Sequence, residues 1–386
     1  MLPLAGIRVI EFCQIAAGPF CGMLLADLGA DVIKVESPDG DGLRSWPPLT
    51  GGYSENFASL NRNKRSVVLD LKDAGQRAAA RALALSGDVV IENFRPGTLE
   101  RLGLGYDALA REKPALVYCS VSAYGQTGPR AGEGGFDLTV QAIGGVMSVT
   151  GEPGGAPVKC GVPIADFSAG LYAAFAIVAA LRAAEREGRG DHIDVSMLGA
   201  TLGVAALQTS EHFGTGRDPA KLGSAHPRNA PYQAFRAQDG YFAMAAGNDR
   251  LWRAVCEGMR RPDLAADARF ASTALRAQHQ AALRALLEAD FARATVAHWL
   301  ALFGGLGVPC APINTYGQVL ADPQVEHMGW VQPITLPGGA RTRTFGSPLA
   351  SRRGRFAIYR NPPALGEHTD EVLAGLGAGS SKGEKP

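Results

Sequence analysis

The feature that most constrains the fold is a strand, a short helix and a second strand within the first 36 residues. Residues 7–12 read IRVIEF, and GPFCGMLLADLGA follows with helical spacing and stops at Gly29. Residues 31–36, DVIKVE, form the second apolar run. Two strands joined by a helix in this way are parallel and need a right-handed crossover. The opening of the chain therefore predicts an open parallel sheet.

The alternation continues through the first two hundred residues. We predict a helix over 73–86, strands over 88–91, 115–120 and 192–197, and a long helix that begins near Asp166. From about residue 215 the chain is rich in Gly and Pro, and Asp239-Gly240 is a typical hairpin turn. The predicted fold class is α/β, with a Rossmann-like large domain on an open parallel sheet and a smaller α+β domain.

Length and composition set the remaining limits. A chain of 386 residues exceeds what one core usually organises, so we place the large domain at 1–210 and 325–386, the linker at 211–224 and the small domain at 225–320. A net charge of +1 gives no electrostatic reason to expect nucleic acid or a membrane surface as partner. The longest apolar run, 169–181, is shorter than a membrane-spanning helix requires. Six scattered cysteines favour a reducing cytoplasm.

Several familiar kinds of site have no motif here. The first turn, CQIAAG at 13–18, lacks the glycine pattern that cradles a dinucleotide, and no Walker A loop is present. Seven histidines without paired spacing predict no metal. No GxSxG follows a strand, and we interpret Cys119 as a buried structural thiol.

Asp166 is the first carboxylate in a long apolar stretch, VPIADFSAGLYAAFAIVAALRAA at 162–184. One interpretation is a helix N-cap, because aspartate oxygens accept bonds from the free amides of a first turn. The other is a covalent nucleophile, stabilised as an anion by the helix dipole. The small neighbours at 165 and 168–170 would then let an acyl group approach.

Basic residues recur near the predicted strand ends. Each of them is an ordinary candidate for a solvated surface charge. Several together, at the carboxyl ends of parallel strands, would line the crevice in which such folds bind ligands. Together they indicate a phosphate-bearing ligand. They are Arg44, Lys64, Arg65, Lys72, Arg95 and Arg101.

Eight stretches of the chain together resemble the class III CoA-transferases, which include formyl-, carnitine- and dicarboxylate-CoA transferases and methylacyl-CoA racemases. They occur in the family's order over nearly the whole chain. The stretches are GIRVIEF…AGPFCGMLLADLGADVIKVE, NRNKRSVVLDLK, VIENFRPGTLERLG, SVSAYGQTGP, GVPIADFSAGLYAA, GRGDHIDVSM, GVPCAPINT and LGEHTDEVL.

The resemblance implies a fold, an assembly and a mechanism. The fold is a large Rossmann-like CoA-binding domain built from both chain ends plus a small domain, and two subunits interlock as a homodimer. Asp166 is implied to attack an acyl-CoA thioester and to carry first a mixed anhydride and then an aspartyl-CoA thioester. No metal or resident cofactor is implied, with CoA thioesters as substrates. The implied CoA contacts are Gln14, Ile15, Ala16, Ala17, Arg44, Leu69, Lys72, Asn93, Phe94 and Arg101.

Departures from the family's patterns reduce the number of reactions that the resemblance allows for this chain. Racemases of the family read Gly-His-Asp where this chain has Gly135-Phe136-Asp137, and phenylalanine cannot take a proton. Ala16 replaces the glutamine of the oxalate branch, which makes oxalate a doubtful acceptor. GSAHPRNAPYQAF resembles enzymes that move CoA from succinyl-CoA to small dicarboxylates.

A dicarboxylate acceptor needs a cation for its free carboxylate, and we select Arg228 with Lys159 as a second candidate, in a substrate site that includes Phe136. Two other readings stay open. One is an acyl-CoA racemase or isomerase that uses a different base. The other is a CoA-binding protein without turnover, in which Asp166 only caps its helix.

Overall fold

The structure is a computed structural model that describes residues 2–352 and 354–379. These residues form two compact units. The large unit holds the described residues up to Val146, Lys159–Arg217 and those from Pro323 onward. The small unit holds Met147–Val158 and Asp218–Asp322.

The strands follow in chain order. They are β1 Arg8–Phe12, β2 Asp31–Glu36, β3 Leu49–Thr50, β4 Tyr53–Ser54, β5 Lys64–Val68, β6 Val89–Glu92, β7 Val117–Ser122, β8 His192–Ser196, β9 Tyr232–Arg236, β10 Tyr241–Ala245, β11 Cys310–Pro312, β12 Val331–Thr335, β13 Arg341–Phe345, β14 Ala350–Ser351 and β15 Gly354–Arg355.

The helices surround them. They are α1 Ala17–Asp27, α2 Glu55–Asn61, α3 Ala74–Ser86, α4 Thr98–Arg101, α5 Tyr106–Ala110, α6 Asp137–Ile143, α7 Val146–Val149, α8 Ile164–Glu187, α9 Met197–Val204, α10 Ala206–Thr215, α11 Asp249–Gly258, α12 Pro262–Ala266, α13 Thr273–Gln278, α14 Gln280–Phe291, α15 Val296–Gly305, α16 Tyr316–Leu320, α17 Pro323–Met328 and α18 Thr369–Gly379. Two 3₁₀ turns lie at Gly42–Ser45 and Ala268–Phe270.

The large unit is built on a six-stranded parallel sheet in the order β5-β2-β1-β6-β7-β8. This is the doubly wound order, in which the chain leaves the first strand in one direction and later returns to its other side. The predicted α/β class and Rossmann-like sheet are confirmed. The order places the switch point between β1 and β6, where ligands bind in such sheets.

Both faces of the sheet are buried, as a parallel sheet requires. Val9 on β1 points to the layer of α1 and α8, and its neighbour Ile10 points to the opposite layer, which contains α3 and α18. This alternation follows from the two-residue period of a strand. The C-terminal helix joins the second layer through Val372.

The sequence missed β5, which begins with Lys64, Arg65 and Ser66. A strand with such a polar start does not read as a buried one. All three residues are nonetheless buried, because carboxylates from other segments pair with them, including Glu11 with Lys64 and Asp31 with Arg65. The interpretation of Lys64 and Arg65 as crevice residues was therefore wrong, since they begin a strand rather than follow one.

The small unit combines the antiparallel sheet β11-β10-β9 with helices α11 to α16. The predicted hairpin is present, with β9 and β10 paired from Tyr232 to Arg236, and Ala237 N–H donating to Gly240 across the turn. Its core is aromatic and centres on Phe242, Phe291 and Phe303.

The boundaries of the units differ from those drawn on the sequence, since the predicted linker 211–224 is divided between the units after Arg217 and one internal segment changes unit. We assigned 147–158 to the large domain, whereas its contacts lie with the small unit. The reason is local hydrogen bonding: Gly223 N–H donates to Gly151, and the Lys221 ammonium donates to the carbonyls of Gly155 and Ala156.

Helix α8 is longer than the apolar run that marked it in the sequence. Its 24 residues are long and apolar enough to cross a membrane by length and composition, a criterion that core helices of soluble proteins also meet. In this structure α8 packs on α1 and on the sheet.

Candidate active site

A cavity of about 250 Å³ opens at the switch point of the parallel sheet. Its walls come from the chain just after β1 and just after β6, at residues 14–17 and 93–96. Residues 121–123 and 133–136 complete it, together with Asp166 and Met197. The cavity lies where an open parallel sheet places its ligand.

The loop after β1 is fixed to the loop after β6 by one reciprocal pair. Gln14 N–H donates to the Asn93 side-chain carbonyl at 2.9 Å, and the Asn93 amide group donates to Gln14 O at 2.8 Å. Ile15 has a left-handed φ of 66°, which is unusual for a β-branched residue. Its N–H donates to the Asp41 carboxylate, which holds this conformation in place.

A buried ionic cluster, formed by Glu11, Lys34, Asp41 and Lys64, lies beneath that loop. The Lys34 ammonium is 3.2 Å from Glu11 and 2.9 Å from Asp41, and the Lys64 ammonium is 2.8 Å from Glu11. Lys34 also donates to Cys13 O at 2.7 Å, which ties the cluster to the loop. Burial alone would lower the pKa of Lys34, yet the two carboxylates outweigh burial and raise it. All four charges are therefore matched inside the protein.

Asp166 is the third residue of α8, and its carboxylate lines the cavity. The N-cap position belongs to Pro163, which has no capping side chain. Instead, the Asp137 carboxylate accepts from Ala165 N–H at 3.0 Å and from the Gln141 side-chain amide at 2.7 Å. The prediction that Asp166 caps its own helix was therefore wrong, because Asp137 from α6 performs that role.

The small residues on both sides of Asp166 serve helix packing. Ala165, Ser168 and Ala169 are buried, and a Cβ added to Gly170 would lie 2.8 Å from Ala17 O on α1. Our interpretation that they open a path for an acyl group was wrong. They let α8 approach α1 closely, which fixes the helix that carries Asp166.

The electrostatic state of Asp166 sets it apart from the paired carboxylates. Burial, and secondly the nearby Asp137 carboxylate, raise the pKa of Asp166 to about 7. Among the residues that the structure describes, none donates a hydrogen bond to its side chain. An ionised carboxylate without donors keeps its lone pairs available, which a nucleophile needs.

The wall after β6 is a rigid turn. Thr98 N–H donates to Arg95 O at 3.1 Å, with Pro96 and the left-handed Gly97 (φ 81°) between them, as in a type II turn. Phe94 N–H donates to the buried Glu92 carboxyl at 2.9 Å. Burial raises the pKa of Glu92 to about 7. This turn directs Arg95 to the cavity, which it lines.

The opposite side of the mouth is the loop 133–136. Phe136 is 75% exposed there, and its backbone is held by reciprocal bonds with the Thr139 hydroxyl. Glu133 is paired with Arg130 at 2.9 Å. No proton acceptor exists on the Phe136 side chain, in the position where the family's racemases have histidine.

Besides Arg95, which was one of the basic residues near the predicted strand ends, the cavity brings together eight of the residues assigned to a site from the sequence. They are Gln14, Ile15, Ala16, Ala17, Asn93, Phe94, Phe136 and Asp166.

Four predicted CoA contacts lie outside this cavity. The Arg44 guanidinium is bound by both oxygens of Glu36 at 2.7 Å, and the Leu69 side chain is buried in the core. Lys72 and Arg101 are exposed. The contacts of Leu69 and Arg44 with CoA remain predictions, although the structure gives Leu69 a packing role and Arg44 an internal partner.

The two cations predicted for a substrate carboxylate are also outside the cavity. Lys159 is exposed and donates to Cys160 O at 3.2 Å. Arg228 belongs to the small unit, and its N–H donates to the His226 imidazole at 3.1 Å.

Sequence reasoning missed other residues of the site. Arg95 was only one of several cations, and Asp137 and the pair Gly134-Gly135 were given no role. The Pro-Gly turn directly after a strand was the signal that could have selected Arg95. In the described part of the chain, no group of three or more His, Cys, Asp or Glu is arranged to hold a metal ion.

Comparison with known proteins agrees with this geometry. The model of "CoA-transferase family III" matches residues 4–369. A succinate–glutarate CoA-transferase of Agrobacterium fabrum is 40% identical over 97% of this chain and 96% of its own. The succinyl-CoA:glutarate CoA-transferase of Mus musculus is 38% identical over 97% and 86%. The acetyl-CoA:oxalate CoA-transferase of Acetobacter aceti is 41% identical over 83% of each.

A solved structure agrees as well. A CAIB/BAIF family protein from Brucella suis superposes with a TM-score of 0.87 at 40% identity, covering 97% of this chain and 99% of that one. The family model, the sequence relatives and the solved structure thus all indicate the same family. The chain belongs to CoA-transferase family III and is a CoA-transferase.

Proposed function

We propose that this enzyme transfers CoA from an acyl-CoA donor, preferentially succinyl-CoA, to a small dicarboxylic acid, with Asp166 as the covalent carrier. The observation that carries the proposal is the Asp166 carboxylate itself. It lines the switch-point cavity, receives no hydrogen bond from the described residues, and has a pKa of about 7. At neutral pH a large fraction is therefore ionised and unsolvated enough to attack.

The first half of the proposed reaction loads the enzyme. An Asp166 oxygen attacks the thioester carbonyl of succinyl-CoA, the C–S bond breaks, and CoA thiolate leaves a mixed anhydride. The thiolate then attacks the aspartyl carbonyl, the anhydride C–O bond breaks, and succinate is released. The enzyme now holds an aspartyl-CoA thioester.

The second half runs the same steps in reverse with another acid. A carboxylate of the acceptor attacks the aspartyl thioester and expels CoA thiolate, which gives a new anhydride. The thiolate attacks the acceptor's carbonyl, forms the product acyl-CoA and restores the Asp166 carboxylate. Every electron pair returns to its starting group, so the cycle uses only the two substrates and Asp166.

For CoA binding, the walls at 14–17 and at Asn93 and Phe94 support contacts to the thioester end. Lys72 and Arg101 are exposed cations, and neither makes an ion pair within 2–352 and 354–379. We propose them as the phosphate contacts, because fixed cations compensate phosphate oxygens well.

A dicarboxylate acceptor is supported by the relatives named for glutarate and for oxalate. One of these relatives is named for oxalate, so oxalate stays among the candidate acceptors. Two of the three are named for succinate or succinyl-CoA, which supports the proposed donor. Arg228 and Lys159 remain proposed partners of the free carboxylate.

We also propose an interlocked homodimer. Helices α8, α9 and α10 expose large apolar side chains, and among them Phe175 and Phe213 are 75% and 84% exposed. An apolar surface of this kind usually marks an interface. Light scattering tests the assembly: wild type is expected as a dimer, and Phe175→Glu as a monomer or aggregate. A monomeric wild type would contradict it.

The proposed compartment is a reducing cytoplasm. All six cysteines are free thiols in the structure, and four of them, Cys13, Cys21, Cys119 and Cys256, are buried. A cell fractionation with a tagged chain tests the compartment directly.

The covalent step is tested by the mass of the intact protein after mixing with succinyl-CoA, followed by hydroxylamine trapping and peptide mapping. We expect a CoA or succinyl adduct on Asp166 and none in Asp166→Asn. Glu185→Gln is the matched control, since it makes the same type of change on the exposed surface of the same helix.

Three outcomes separate the readings. An adduct on Asp166 supports transfer. Exchange of the α-hydrogen of an acyl-CoA for deuterium without transfer would support the racemase reading. Bound CoA without adduct or transfer, across a panel of acyl-CoAs, would leave a binding protein and end the proposal.

A further inference from the structure

The switch-point cavity is lined by three ionisable side chains, and only two of them have an evident use. Asp166 is the proposed nucleophile. Glu133 is paired with Arg130 at its exposed edge. Arg95 is the third, and it is the one cation among the residues that line the cavity in the described structure. It makes no ion pair or side-chain hydrogen bond there.

The backbone of Arg95 is fixed, whereas its exposed guanidinium has no partner among the described residues. The type II turn through Pro96 and Gly97 sets its backbone, and the Gln14–Asn93 pair anchors the preceding residues. Its guanidinium passes over Gly134, where an added Cβ would lie 3.0 Å from Nη2. A cation that lines a cavity, stands on a fixed backbone and lacks a partner is available to an anionic ligand.

We propose that Arg95 binds the non-reacting carboxylate of the acyl group, in the donor and in the acceptor alike, and so selects dicarboxylates. The inference rests on the proposed transfer at Asp166. It adds a cation within the cavity itself to Arg228 and Lys159, which lie outside it.

The location favours the acyl end of the substrate over the phosphates of CoA. The reacting carbonyl must come to within about 3.5 Å of an Asp166 oxygen, which places the acyl chain inside the cavity. A short diacid then carries its second carboxylate across the same space, to the wall that Arg95 lines. A cavity of about 250 Å³ has room for such an acyl chain but not for the nucleotide of CoA as well.

The test compares dicarboxylate with monocarboxylate substrates in steady-state kinetics. We would measure kcat/KM for succinyl-CoA and for butyryl-CoA, each with glutarate and with butyrate as acceptor. In Arg95→Gln we expect kcat/KM for succinyl-CoA and for glutarate to fall about 10- to 100-fold, because a charged hydrogen bond is lost. The butyryl-CoA and butyrate pair should change less than about threefold. Arg95→Lys should recover part of the loss, since it keeps the charge without the planar fork.

Two further variants separate the alternatives. Arg101→Gln should raise KM for succinyl-CoA and butyryl-CoA by the same factor, as a phosphate contact would. Gly134→Ala crowds the Arg95 guanidinium without removing its charge, and it should lower the preference for dicarboxylates by a smaller factor than Arg95→Gln.

The outcomes that overturn the inference are specific. If Arg95→Gln lowers kcat/KM for succinyl-CoA and for butyryl-CoA by the same factor, Arg95 contacts the CoA part of the donor or only stabilises the fold. An unchanged preference for dicarboxylates would show that another cation binds their free carboxylate. If wild type transfers CoA from neither donor, the proposed function itself fails, and this result is visible before any variant is made.

Discussion

The loop after β1 separates two charged regions, the buried ionic cluster and the switch-point cavity. Charges are paired in the first region and unpaired in the second. In the ionic cluster of Glu11, Lys34, Asp41 and Lys64, each ammonium lies within 3.2 Å of a carboxylate. In the cavity above it, Asp166 and Arg95 have no partner among the described residues. Buried charges that support a fold are matched, because an unmatched one is costly. Burial of the unmatched Asp166 carboxylate carries that cost, whereas Arg95 is exposed and solvated, so Asp166 indicates where the protein keeps charge for a ligand.

The largest effect should come from Asp166→Asn, which removes the unmatched carboxylate without changing its shape. We expect kcat to fall at least about 10³-fold, since the covalent route is lost. Stability should rise by about 1 kcal/mol at pH 8, because an active-site charge is removed. Activity assays and urea unfolding measure the two effects, and a variant that loses stability would contradict the assignment.

The pH dependence of that gain follows from linkage. The folded-state pKa of about 7 is above the ordinary value of 3.8, so folding favours the protonated form. The ionised carboxylate therefore costs stability fully above pH 7 and progressively less down to about pH 4. The advantage of Asp166→Asn should disappear over that range.

The next effect should come from Lys64→Met, which removes one partner from the matched cluster. Its ammonium is fully buried and also donates to Pro19 O at 2.8 Å. We expect the free energy of unfolding to fall by about 3–5 kcal/mol, because Glu11 is left with less compensation. Adding Glu11→Gln should restore at least about 1 kcal/mol in urea unfolding. If the double variant has a lower free energy of unfolding than Lys64→Met alone, the explanation by paired buried charges is contradicted.

A smaller effect should come from Asp137→Asn, which removes the like charge next to Asp166. Burial, the larger cause of the raised pKa, stays in place. The rise of kcat with pH should therefore shift by roughly half a unit to lower pH but remain above the ordinary range of an aspartate. A pH–rate profile measures this shift. An unmoved profile would mean that burial alone sets the pKa of Asp166.

The smallest effect should come from Glu185→Gln, which breaks a pair that is matched but exposed. Arg182 and Glu185 on α8 are 3.2 Å apart, and both side chains are over 70% exposed. We expect the free energy of unfolding to change by less than about 0.5 kcal/mol. Thermal unfolding of Glu185→Gln and Lys64→Met, each compared with wild type, measures how much burial adds to the stabilisation by an ion pair.

The sequence predicted the features that depend on local pattern. The alternation of apolar runs predicted the parallel sheet, whereas the residues of the two loops that meet at the cavity came from the family resemblance. Asp166 was selected because a carboxylate in front of a long apolar helix is chemically unusual.

The features that sequence did not predict depend on contacts between distant segments. The cap of α8 comes from Asp137, 28 residues before Ala165, and Lys64 pairs with Glu11, 53 residues before it. Arg44 looked like a phosphate ligand because the sequence does not show that it pairs with Glu36, a residue of the predicted strand 31–36. No spacing rule within one helix or strand connects such residues, since their proximity arises only once the strand order is set.

The close approach of α8 to α1 at Gly170 has a consequence for how this site tolerates different acids. Amides in the first turns of α8 should exchange with solvent only when the whole large unit unfolds, because small side chains seal the helix against its neighbour. The loop 133–136, exposed and bearing two glycines, should exchange far sooner. The proposed nucleophile thus lies on the part of the large unit expected to exchange most slowly, and adjustment to a longer or shorter acid is left to a four-residue loop. Chimeras that exchange only this loop between relatives would be the shortest route to a new acceptor.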